Sequence, residues 1–268
     1  MIKLAKAFYR GFVGGPRFEN CIHYRLILEN KLLTLDMPSS NVTAVPSTID
    51  VSFPFNSTAW FNQHKQGYLQ HVYVHMLTKN WMYLPPISYL PSGEYGMLSC
   101  QLRIKQVLEI NVLDIAQLKH FVIESYDKFH WRTDGKNTEI TEKIKLQKSK
   151  SSVAWTEAEI EEEIEEYIKL HGQPPLPAAK EIIINNRLWV FYKECRDNVL
   201  SRQDFYCLPL SEHAFLEVEF NHRIDRSDKH KKWAKHALES QQRIMESIKL
   251  TELPSDHDNL ITDNSQGF

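Results

Sequence analysis

The cleanest alternation of apolar and polar side chains falls at residues 215–223, FLEVEFNHR. Leu216, Val218 and Phe220 share one face of a strand there, and Glu217, Glu219 and Asn221 share the other. The pattern predicts a half-buried strand. Other β-type runs have the same character. IHYRLILENKLLTLD, 22–36, reads as a hairpin turning at Glu29-Asn30, and MPSSNVTAVPST, 37–48, as loop. IDVSFPF, 49–55, alternates Ile49, Val51, Phe53 and Phe55, with Pro54 arguing for an edge or a strand end. GYLQHVYVHML, NWMYLPP and GEYGMLSCQLRIKQVLEINVL predict a run of antiparallel strands over 68–113. EIIINNRLWVFYKE, DFYCLPL and AFLEVEFNHR predict three more with short connections.

Helical spacing takes over in three places. Asp114 is an N-cap for IAQLKHFVIESYDKFHW, whose apolar stripe is Ile115, Leu118, Val122, Tyr126 and Phe129. In TEAEIEEEIEEYIKL, 156–170, Thr156 and Glu159 form a capping box over the stripe Ile160, Ile164, Tyr167 and Ile168. Gly172 and the following QPPLP end that helix. A last helix begins near Asp228 and buries Ala234, Ala237, Leu238, Gln241, Ile244, Met245 and Ile248 against the strand at 216–220. These elements predict an α+β protein of antiparallel sheet with helices packed on one face. The order of strands then helix occurs twice, which admits two similar lobes. The expected divisions are an arm at 1–21, a lobe at 22–131, a connection at 132–155, a second lobe at 156–253 and a disordered tail at 254–268.

Composition narrows the function classes. With 268 residues, 42% hydrophobic and 25% charged, the chain can bury a substantial core. A net charge of −2 supplies no global basic field, which argues against nucleic acid or an acidic membrane as partner. Lys6 and Arg10 interrupt the apolar start, and no run of about 18 apolar residues is present, so the expected location is cytoplasmic. Cys21, Cys100, Cys195 and Cys207 form no C-x-x-C pair and read as buried or incidental thiols. In an oxidising compartment Cys195 and Cys207 would be the pair to test, on adjacent strands.

Candidate chemistry is sparse. His71 and His75 have the H-x-x-x-H spacing of a zinc pair on a helix, but Val72, Tyr73 and Val74 favour a strand, where four residues span roughly 13 Å. No metal site or cofactor is expected. No G-x-S-x-G elbow or phosphate loop occurs, and Gly14-Gly15 lacks the strand-loop-helix context. No catalytic residue is assigned. The most unusual feature is seven glutamates against one lysine between 156 and 170. Either this is a solvated helical face, or Glu161, Glu162, Glu165 and Glu166 form a docking surface for a basic partner. Arg223, Arg226, Lys229, Lys231, Lys232 and Lys235 around Trp233 give the opposite bias, and Pro174-Pro175-Leu176-Pro177 reads as a stiff linker.

The C-terminal third carries a resemblance. Trp189 on one strand, Tyr206 on the next, Leu216-Val218-Phe220 on a third and a last helix ending Glu246-Ser247-Ile248 resemble bacterial immunity proteins that neutralise type VI secretion effectors. The same order is similar to PsbP/DcrB-like α+β folds. The resemblance implies a non-catalytic inhibitor of a cognate toxin, and no functional residue is carried over. One departure is that lipase-neutralising members are usually exported, whereas no export signal is visible here. The expected function is toxin neutralisation by steric and electrostatic occlusion. Two alternatives stand beside it. One is a hydrolase assembled from distant residues, with His71, His75, Cys100 and Cys207 as first candidates. The other is a small-ligand carrier using Trp60, Phe61, Tyr73 and Trp81.

Overall fold

The computed structural model describes residues 10–42, 51–67, 72–86, 93–195, 201–224 and 232–253. The large sheet contains β1 (Val13–Gly14), β5 (Lys65–Gln66), β6 (Tyr73–Leu84), β7 (Gly96–Gln106), β8 (Lys180–Ile184), β9 (Arg187–Cys195), β10 (Ser201–Ser211) and β11 (Ala214–Ile224). Its order is β1-β6-β7-β11-β10-β9-β8, with β5 also on β6, and every pairing is antiparallel. A smaller sheet follows the order β12-β3-β2-β4, from β2 (Cys21–Leu28), β3 (Lys31–Pro38), β4 (Ser52–Phe53) and β12 (Lys249–Glu252). The helices are α1 (Thr58–His64), α2 (Ile115–His130), α3 (Lys136–Ser149), α4 (Glu157–His171) and α5 (Lys232–Ser247). The fold is α+β with antiparallel sheets, as the sequence predicts. Strands from 73–106 and 180–224 share one sheet, because β7 pairs with β11 along its whole length.

Alternation along β11 decides the layering. Leu216, Val218 and Phe220 join Leu98, Leu102 and Trp81 on one face. That face packs on Leu26, Leu28, Leu33 and Leu35 of the small sheet and on Ala237, Ile244 and Met245 of α5. Phe215, Cys207, Phe205 and Tyr192 look the other way and meet Leu118 and Val122 of α2. Helices therefore lie against both faces of the large sheet. Because β11 is central and covered twice, the predicted polar face is not wet: Glu217 is fully buried. A third, separate core joins α3 and α4 through Ile140, Ile144, Ile164 and Ile168.

Several boundaries differ from the sequence pattern for physical reasons. β6 is one continuous strand, because a bulge between His75 and Leu77 resets its phase and keeps Val74, Leu77 and Trp81 inward. Residues 107–113 leave the ladder, with the Val107 and Val112 amides donating to the His213 and Glu212 carbonyls. The run 181–194 splits in two at Asn185 and Asn186, whose φ values of 50° and 59° make the hairpin turn that asparagine tolerates. The connection at 132–155 is helical over Lys136–Ser149. Beyond α5 the chain adds an edge strand, β12, to the hairpin of β2 and β3. Leu238 faces outward at 43% exposure, and Ser240 takes a place in the buried stripe. Cys195 lies opposite Arg202 and Cys207 opposite Val190, so these two cysteines do not face each other. The predicted helix start near Asp228, most of the basic stretch around it, His71 and the tail at 254–268 lie outside the described residues.

Candidate functional site

Two surfaces carry charge in an unusual way. The first is the α3–α4 hairpin. Thr156 caps α4 as predicted: its hydroxyl accepts from the Glu159 amide at 3.3 Å, and the Glu159 carboxylate accepts from the Thr156 amide at 2.8 Å. The isoleucine stripe faces α3, which turns Glu161, Glu162, Glu165 and Glu166 outward, and all four are exposed. Glu163 pairs with Lys148, whose ammonium also lies over the Trp155 ring. None of the four outer glutamates has a hydrogen bond or ion pair with a described residue. Like charges at i and i+4 repel by a few tenths of a kcal/mol, so the row costs the isolated helix stability.

Those glutamates border an open groove of about 960 Å³ whose other margins include Trp131, Lys145 and Pro174-Pro175. The proline run therefore shapes one rim of the groove. Trp131, on the groove, is exposed, and so are Leu146, Val153, Trp155, Tyr167 and Leu170 elsewhere on α3, α4 and the segment between them. Tyr167, expected on the buried stripe, is 39% exposed. Lys145 and Lys169 also line the groove, so its charge is predominantly, not wholly, acidic; exposed apolar surface beside it is a feature of partner-binding patches.

The second feature lies between α2 and the sheet, where a cleft of about 240 Å³ has walls of Val72, Val107, Phe121, Val122 and Phe215. Its floor is charged. Glu217 accepts from Arg103 Nε at 2.5 Å, from Lys105 Nζ at 3.0 Å and from the Tyr192 hydroxyl at 3.3 Å. Arg103 also pairs with Glu219 and lies 5.0 Å from the Tyr73 ring centroid. Burial alone would raise the Glu217 carboxyl, but Lys105 and Arg103 outweigh it and hold the group down at about 2. Glu194, on β9 at the same cleft, goes the opposite way. Burial, with Glu219 and Glu217 nearby, pushes it up to about 7. It has no hydrogen bond or ion pair among the described residues.

The other candidates do not converge. Cys100 and Cys207 occupy cores on opposite faces of the sheet, and burial pushes both thiols up, so neither presents a thiolate near neutral pH. His75 bonds Thr78 Oγ1 at 2.8 Å, and burial lowers its pKa. No metal-holding group of His, Cys, Asp and Glu occurs among the described residues. The aromatic pocket does not form either. Trp81 is buried and donates to the Ser39 carbonyl, Trp60 packs edge-on against Phe53, and Tyr73 lies by Arg103 on the opposite sheet face. Trp233 stacks on Tyr95 at 4.1 Å.

The sequence pattern missed Arg103, Lys105 and Glu194. A signal was present, since Arg103 and Lys105 fall on one face of a predicted strand and Glu217 and Glu219 on one face of another. Only the pairing of β7 with β11 brings the two sets together.

No helix among the described residues is long and apolar enough to cross a membrane. No family model and no curated protein matches the chain. Among solved structures it is similar to LpqN, described as involved in cell envelope biogenesis of Mycobacterium tuberculosis, with 8% identity and a TM-score of 0.29 over 90% of this chain and 91% of that one. A likeness at that level carries no argument about activity.

Proposed function

We propose that this protein works by binding a basic protein partner through the α3–α4 hairpin, as an immunity protein would occlude a cognate toxin in the cytoplasm. The observation that carries the reading is the row of Glu161, Glu162, Glu165 and Glu166, exposed and without partners among the described residues, on one groove with exposed Trp131. A row of like charges is costly to an isolated helix, and a basic surface would relieve that cost while Trp131 supplies buried area. Complementary charge of this kind raises the association rate and selects the partner more than it raises affinity.

Co-expression with the product of the adjacent gene tests the reading. The expected result is rescue from that product's toxicity together with a stable complex, both weakened when all four glutamates become glutamine. Absence of both complex and rescue would overturn the immunity reading. Rescue that the quadruple variant retains in full would overturn the role of the hairpin.

A further inference from the structure

We propose that the cleft between α2 and the large sheet binds a small organic cation, an alkylammonium carried on an apolar stem, with its charged head on the Glu194 carboxylate. The proposal is independent of the hairpin and its partner. It starts from the imbalance of the cleft floor. Arg103 and Lys105 are already satisfied by Glu217 and Glu219 in a network that also takes the Tyr192 hydroxyl. Glu194 is the odd carboxyl: it has no hydrogen bond or ion pair among the described residues, and the two cations near it, Lys105 and Arg103, are committed to Glu217 and Glu219. A partly buried carboxylate whose nearby cations are each paired with another acid is an unfavourable arrangement that a bound cation relieves.

The groups facing Glu194 favour that charge sign. Glu217 and Glu219 come from β11, Arg103 and Lys105 from β7, and Tyr192 from β9. Glu109 adds a further acid to the lining, and α2 contributes Ser125 and Tyr126, with the Tyr126 hydroxyl donating to Gln173. With the two bases neutralised by two acids, the remaining charge is negative. The walls match an apolar stem: Val72, Val107, Phe121, Val122 and Phe215 surround the charged floor. The volume of about 240 Å³ suits a chain of a few carbons rather than a nucleotide. Anions are disfavoured, because an incoming carboxylate or phosphate would have to displace Glu217 from both of its bases.

Titration of the 268-residue chain, labelled with ¹³C at glutamate, with n-butylammonium chloride tests this. Butanol and sodium butyrate are the neutral and anionic comparators. Binding is expected with a Kd on the order of 1 mM at pH 8, moving the Glu194 carboxyl resonance. Since Glu194 must ionise and titrates at about 7 when the cleft is free, binding should weaken about tenfold at pH 6. The Glu194→Gln variant, checked for an intact fold by its amide spectrum, should lose binding at both pH values. A short lysine peptide separates the two sources of such a cation. If it binds as tightly as butylammonium, the occupant is a partner's lysine side chain; if it does not, the occupant is a free amine. Three results would overturn the proposal: no shift at Glu194, equal binding by butanol or butyrate, or undiminished binding by the glutamine variant.

Discussion

At the scale of single residues, the informative contrast is between a partly buried glutamate, Glu194, and a fully buried one, Glu217, with opposite fates. Glu217 is held down at about 2 because two bases outweigh its burial, so its contribution to stability is present above about 4.5 and is lost as pH falls towards 2. Glu194 is pushed up to about 7, so the folded chain holds its proton more tightly than the unfolded chain does. Stability is therefore lost as pH rises from about 4.5 to 7, and the loss persists above that. Together the two groups favour a maximum near pH 5. Glutamine at position 194 cannot ionise. Glu194→Gln should thus be more stable than wild type by about 2 kcal/mol at pH 8, and within about 0.5 kcal/mol of it at pH 5. Urea unfolding at the two pH values checks this. A variant that is less stable at pH 8 would show that Lys105 and Arg103 compensate the carboxylate after all. None of this is legible in the sequence, where Glu217 reads as the wet side of a half-buried strand. Burial on both faces depends on β11 being central, which is a property of the whole sheet.

At the scale of elements, caps and turns were readable where the chemistry is local. Asp114 accepts from the Ala116 and Gln117 amides, and the Thr156–Glu159 box closes as its spacing requires. The turn at Asn185-Asn186 needed one more inference, that two adjacent asparagines can both adopt positive φ. Asn185 does more than turn the chain, since its Nδ2 donates to the Glu246 and Ile248 carbonyls at the end of α5. Asn185→Gly keeps the backbone freedom but loses both bonds, and Asn185→Ala loses the freedom too. Thermal melts should place glycine about 1 kcal/mol and alanine about 2 kcal/mol below wild type. Equal stabilities would mean that the side chain contributes nothing. The α3–α4 hairpin is held by four isoleucines apart from the two sheet cores. Ile144→Ala should cost about 2–4 kcal/mol locally. Amide exchange should accelerate over 136–171 while β7 and β11 keep their protection. Uniform acceleration through the sheet would contradict a separate core.

At the scale of the whole molecule, the repeated strand-helix order suggested two lobes, but the chain combines strands from both halves into one sheet. Pairing of β7 with β11 joins residues more than a hundred positions apart, and no local pattern encodes it. The same holds for β12, a short strand after the last helix that finds its place beside β3. The acidic row is different. A helix whose apolar stripe is narrow must expose the rest of its circumference, so the outward placement of Glu161, Glu162, Glu165 and Glu166 followed from spacing alone. The exposed Trp131 on the same groove and the proline rim of that groove required the structure.

The central claim is that this charged hairpin is the working surface. Its most direct test is the association rate of the purified chain with the adjacent gene product, measured by stopped flow across a salt series. Wild type should slow by about tenfold or more between low salt and about 0.5 M, whereas the variant with all four glutamates changed to glutamine should be slow throughout and nearly insensitive to salt. Identical rates and identical salt dependence for the two proteins would contradict the account.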